Sequence, residues 1–203
     1  MHPKTGLPGV AVAALLLVLA SPPAHAATPP AGDRLAFDVT RKDADIGDHV
    51  FTFSGSDGDF QVSVATDIAV RVPLIRAKVY SYEQQSREDW RGGQLVHLAS
   101  RTDNDGKKSQ VDEPVDHLLP GSLWSADSIR AGRLVNTIDG TVMTIHVADL
   151  GSEKIAADGT TIAAKHYRIS GDLSRDVWYD AKGYLARLTL VADDGSTVTY
   201  VRK

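Results

Sequence analysis

The chain has 203 residues, no cysteine, 22 basic and 26 acidic side chains, and a formal net charge of −4. That balance is ordinary for a soluble protein and argues against the electrostatic footprint of a nucleic-acid binder. Without cysteine there are neither disulfides nor a lipid-modifiable thiol, so stability must come from packing and hydrogen bonds.

The first segment runs Met1-His2-Pro3-Lys4, then an apolar stretch from Val10 to Ala20, then Ser21-Pro22-Pro23 and Ala24-His25-Ala26. A positive start, a short apolar run and an Ala-x-Ala site are the three parts of a secretory signal. The run is shorter than the roughly 20 residues of a bilayer span, and the prolines and the Ala-x-Ala site favour cleavage over an uncleaved anchor. The expectation is a signal peptide over 1–26, cleavage near Ala26, and a periplasmic or secreted protein with no stable membrane anchor. A Pro-rich lead-in over 27–33 is expected to be disordered. A single domain then covers 34–203, a length able to bury close to ~70% of its unfolded surface.

From Leu35 onward the pattern is alternation. In Gln61 to Val72, Val62, Val64, Ile68, Val70 and Val72 fall on even positions, while Ser63, Asp67 and Arg71 fall on odd ones. Strand side chains point to alternate faces, so this predicts one long strand with an apolar and a polar side. Further strands are predicted over Val50 to Phe53, Ala77 to Gln85, Leu95 to Arg101, Leu134 to Ile138, Thr141 to Val147, Thr160 to Ser170, Val177 to Asp180, Tyr184 to Val191 and Thr197 to Arg202. Between them lie turn signals, among them Asp103-Asn104-Asp105-Gly106, Asp139-Gly140, Ala181-Lys182-Gly183 and Asp194-Gly195. Helix signals are poor: Ser125-Ala126-Asp127-Ser128 caps at most one short helix ending near Gly132. The fold class is mainly β, a long antiparallel meander forming a strongly curved sheet or half-open barrel with at most one or two short helices.

Motifs that carry chemistry are scarce. His49, His97, His117, His146 and His166 each stand alone, without the close spacing of a metal site. No nucleophile elbow, phosphate loop or dinucleotide fingerprint occurs, and Arg101 occupies a ligand position that a calcium loop around Asp103 would need. No cofactor or metal is implied, and the reading is of a protein that is not an enzyme. If a catalytic site exists, its least unfavourable members are Glu83, Arg87, Asp89 and His97. The aromatic residues say more. Rings on a curved sheet either fill the core or line a cavity for an apolar ligand. Tyr80, Tyr82, Trp90, Trp124 and Trp178 are the candidates for such a lining. The apolar stretch Leu118 to Trp124 reads as a lid over the cavity or a plug at the sheet end.

Phe37-Asp38-Val39, Ile46-Gly47, Val79-Tyr80, Trp90 with Gly93-x-Leu95, Pro120-x-Ser122-x-Trp124 and the ending Trp178-Tyr179-Asp180-x-x-Gly183 together resemble an uncharacterised family of exported bacterial proteins of about 200 residues. That family carries no assigned activity, so the resemblance implies no functional residue. More distantly, the meander is similar to the half-open barrels of periplasmic lipoprotein carriers. Three roles are therefore expected in order: a periplasmic protein binding or carrying a lipid or other apolar molecule on a concave sheet face, an envelope interaction module with a solid core, and an enzyme with a scattered site.

Overall fold

A computed structural model describes residues 28–56, 58–71 and 78–203. The expected signal peptide, its cleavage site and Val72 lie outside the described residues. Thirteen strands follow one another: β1 (Arg34–Arg41), β2 (Ala44–Ser56), β3 (Asp59–Arg71), β4 (Lys78–Arg91), β5 (Gln94–Asn104), β6 (Lys107–Pro114), β7 (Leu119–Pro120), β8 (Arg133–Val135), β9 (Val142–Ala157), β10 (Thr160–Gly171), β11 (Arg175–Tyr179), β12 (Leu185–Val191) and β13 (Thr197–Arg202). They form one open sheet in the order β6-β5-β4-β3-β2-β1-β13-β12-β11-β10-β9-β8-β7. Every ladder is antiparallel except the short β7–β8 pair. The curved, unclosed meander is the fold class expected from the alternation.

Parity holds along β3, where Phe60, Val62, Val64, Thr66 and Ile68 are buried and Asp59, Ser63, Ala65 and Asp67 are exposed. Two-residue turns set the register where the sequence permits positive φ. Asp105-Gly106 joins β5 to β6 with φ of 51° and 89°, and Asp158-Gly159 joins β9 to β10 with 53° and 67°. Both are Asp-Gly pairs, the chemistry that primed hairpin turns require. The Asp139-Gly140 hairpin also forms, but β8 is shorter than predicted and β9 runs on past Val147 to Ala157. Its loop closes from Asn136 N to the Thr141 carbonyl at 2.8 Å, so Ile138 lies in the loop rather than in β8. Among the described residues the one helical feature is a single 3-10 turn, Ser128–Arg130.

The inner face carries the main core, built on Phe37, Phe51, Phe53, Val62, Leu98 and Tyr179, among others. The segment between β7 and β8 crosses one end of this face and drives Leu123 and Trp124 into it, each 1% exposed. It is pinned there by Leu185 N to the Trp124 carbonyl at 3.0 Å and by the Tyr179 hydroxyl to the Leu123 carbonyl at 3.1 Å. Of the two readings of Leu118 to Trp124, the plug is the one observed. The two ends of the sheet approach without pairing, and Gln84 Nε2 donates to the Thr137 carbonyl across the seam at 3.1 Å. The lead-in rests on the body, with Pro30 buried and the Tyr184 hydroxyl donating to the Pro29 carbonyl at 3.0 Å.

Candidate functional site

The five rings proposed to line one concavity separate into three places. Trp90 and Trp124 are core residues, their centroids 5.6 Å apart, and Phe60 stacks on Trp90 at 5.2 Å. Trp178 departs from the expectation altogether. It sits between Val177 and Tyr179, whose side chains enter the main core, so its own side chain takes the opposite face. There His166 stacks on it at 4.0 Å and the Arg187 guanidinium lies 5.3 Å from its ring. Tyr80 and Tyr82 do face inward, at the end of the lumen away from the plug. Tyr80 is 36% exposed and donates its hydroxyl to Asn104 Oδ1 at 2.9 Å.

The plugged end holds a buried carboxylate. Glu88 is fully buried, and its Oε2 accepts from Trp90 Nε1 at 3.2 Å and from Trp124 Nε1 at 3.1 Å. Removal from water outweighs these donors and pushes the acid up to about 7. Its Oε1 and Ser122 Oγ are both buried without a hydrogen-bond partner among the described residues, and the serine hydroxyl, like the indoles, favours the ionised carboxylate. Halfway along the lumen the His49 ring lies against Phe51 at 4.6 Å and Tyr200 at 5.5 Å, with Nδ1 2.7 Å from Thr66 Oγ1. Burial drives His49 down to about 4.

The open end brings together strands from opposite walls. Tyr82 and Tyr200 pack on the cluster of Val39, Ile46, Ile68 and Val198, with Val70 and Leu190 beside them half-buried. Arg175, at the start of β11, is close enough to both phenols to favour their ionised forms, although burial pushes Tyr200 up to about 12 and Tyr82 higher. The guanidinium donates only to the neighbouring Ser174 carbonyl, at 2.8 Å, and no carboxylate among the described residues pairs with it. Burial lowers its pKa. Sequence reasoning missed Arg175, since its neighbours come from β4 and β13.

The outer face of β2–β6 holds two adjoining hollows of about 520 Å³ and 600 Å³. Their floor is small, with Ala65 and Ala99 on it, and Arg87 and Arg101 stand on one side. The other side is a single cross-strand line. Asp38 is opposite Asp48, Asp48 opposite Asp67, Asp67 opposite Glu83 and Glu83 opposite Asp103. Lys203 Nζ bridges Asp38 and Asp48 at 2.6 and 2.7 Å, and Lys108 reaches Asp103 at 3.9 Å. Asp67 and Glu83, in the middle, have no cation among the described residues. The scattered catalytic candidates are also on this outer face. Arg87 and His97 flank Asp89 at 3.5 and 3.8 Å, with Asp112 3.3 Å from His97 Nε2. Glu83 stands apart from them in the acidic line, so the four do not converge inside the barrel.

The sequence matches the family model described as "Domain of unknown function (DUF6134)" over residues 37–203. No curated protein matches it. Among solved structures, a beta-barrel-like protein of domain of unknown function DUF1849 from Brucella abortus has a similar fold. Its TM-score is 0.52 at 11% identity, over 84% of this chain and 94% of that one.

Proposed function

We propose a role for a chain that belongs to the DUF6134 family: an exported, non-catalytic docking module that holds an extended cationic segment of an envelope partner in the trough on its outer face. One observation carries the reading. The middle and plugged end of the inner face are solid with Phe37, Phe51, Phe60, Leu98, Trp90 and Trp124, each at most 2% exposed, whereas the two hollows lie outside on β2–β6. A carrier needs several hundred Å3 of apolar space, and these hollows are lined largely by polar side chains.

The charge pattern gives the partner's chemistry. Like charges directly opposite across a ladder destabilise it, by about 0.2–1 kcal/mol per pair. A basic segment laid along the line would relieve that repulsion. Five strands about 4.8 Å apart put its outer members about 19 Å from each other, the length of some six extended residues. Arg87 and Arg101 on the opposite bank would orient the segment by pairing with its acidic or carbonyl groups.

The test is site-specific photo-cross-linking in the native host. A photoreactive residue at Ala65, on the trough floor, should give a discrete adduct. One at Lys182, in the exposed turn after β11, should not. Combining Asp67→Lys with Glu83→Lys should abolish the Ala65 adduct. An adduct that survives the charge reversal, or that forms equally from Lys182, removes the docking role.

A second reading has its own support. The open end gathers Tyr80, Tyr82, Val70 and Leu190 without burying them fully. This is the part of the concave face where a small apolar ligand could be held.

A further inference from the structure

We propose that the open end of the barrel binds the anionic head of an amphipathic small molecule, a carboxylate or phosphate on an alkyl chain, with Arg175 as the residue that reads the charge. The inference rests on the second reading above and adds the chemistry of the head group.

Three other arginines of the sheet have acidic partners. Arg41 pairs with Asp194, Arg168 with Asp176 at 2.8 Å, and Arg202 with Asp158 and Asp180 at 2.7 and 2.9 Å. Arg175 has none among the described residues, although it is only partly exposed. A partly buried cation without a counter-charge is costly, because desolvation is not offset by attraction. What surrounds it is two phenols and aliphatic side chains. Tyr82 comes from the wall opposite β11, and Tyr200 is cross-strand to Leu188, itself cross-strand to Val177. Neutral phenols can donate hydrogen bonds to an anion but cannot neutralise the guanidinium. Burial keeps them protonated and therefore donating.

Arg175 belongs to β11, where alternate residues face inward: Val177 and Tyr179 enter the core, and Arg175 shares their parity. Val70 and Tyr80, cross-strand partners on β3 and β4, form the facing rim. An anion seated on the guanidinium would be within reach of the phenols, and its alkyl chain would lie over Val70 and Leu190. A guanidinium presents paired donors that match carboxylate and phosphate alike.

Binding of dansyl-undecanoic acid and of its methyl ester, followed by dansyl fluorescence on the full chain, separates the cases. The acid should bind at least tenfold tighter than the ester, the scale of one charge-assisted hydrogen-bonded contact. Arg175→Gln should reduce the acid to the affinity of the ester, and Arg175→Lys should recover part of the difference. Glu83→Lys, in the outer trough, should leave both unchanged. Displacement by dodecyl phosphate but not dodecanoate assigns the head to the phosphates, and the reverse assigns it to the carboxylates; both agree with the inference. Equal binding of acid and ester to the unsubstituted protein overturns the role of Arg175 while leaving an apolar site at the open end. Binding of neither overturns both.

Discussion

Glu88→Gln tests how the plug is held. In the folded chain the carboxyl is pushed up to about 7 from an ordinary 4.5, so between those values the native state holds a proton that the unfolded state has lost. Stability from this group is therefore complete below pH 4.5 and falls as pH rises through 7. The loss is about 1.4 kcal/mol per pH unit, about 3 kcal/mol over the window. His49 works in the other direction. Its value falls from 6.5 to about 4, so its contribution is present above 6.5 and is lost as the solution is acidified. Between 4.5 and 6.5 the native state carries the Glu88 proton and the unfolded state carries the His49 proton. The two slopes cancel there, and these groups leave the native protein's stability flat. Glutamine keeps an oxygen for both indole donors and carries no titrating proton. Urea denaturation, followed by the fluorescence of Trp90 and Trp124, should show Glu88→Gln folded. Its stability should rise with pH between 4.5 and 6.5 at about 1.4 kcal/mol per unit, the slope of His49 alone. If the variant and the parent keep parallel curves across that range, Glu88 is ionised in the native state and burial does not raise it.

Three other outcomes follow from packing and charge. Trp124→Ala removes the ring that touches Phe53, Phe60 and Trp90 and leaves Glu88 with one donor, so unfolding should become easier by about 3–5 kcal/mol in urea titration. Gly47→Ala places a Cβ 1.9 Å from the Asp67 carbonyl oxygen at φ +146°, and the β2–β3 ladder should open locally, read as faster amide hydrogen exchange in Phe51 to Phe53 and loss of at least about 2 kcal/mol. Asp67→Ser should stabilise the isolated protein by about 0.5–1 kcal/mol at low salt, with the gain shrinking as salt is added, because it breaks the acidic line at its least neutralised point.

The strands with one wet and one dry face were readable from parity, as β3 shows. Most of the rest lacked that contrast, and from Gln84 on the buried face of β4 is largely polar, with Ser86 and Glu88, so its alternation is hidden. In β6 only Val111 is buried, and in β9 residues 146–154 are exposed on both faces, so neither segment alternates. Strands β7 and β8 are too short to show a period. The Asp158-Gly159 turn carried the same local signal as the turns that were recognised. Trp124 was readable as an apolar plug, but its partner Glu88 was not, because a carboxylate between two indoles has no sequence spacing. The acidic line is hidden for a related reason. Its members are separated by 10, 19, 16 and 20 positions, intervals that become a straight row only once the turn lengths fix the register.

The first and last strands are partners at the centre of the sheet, so the molecule is bound like a book, with β1 and β13 as its spine and the seam as its fore-edge. Each cover is a stack of neighbouring hairpins able to form early from nearby residues. Joining the covers must wait for the five-pair spine from Phe37–Arg202 to Arg41–Val198, whose partners lie at opposite ends of the sequence. A chain emerging from a channel N-terminus first would complete one cover, β1 to β6, long before the other, and would display the bare edge of β1 until its final residues arrived.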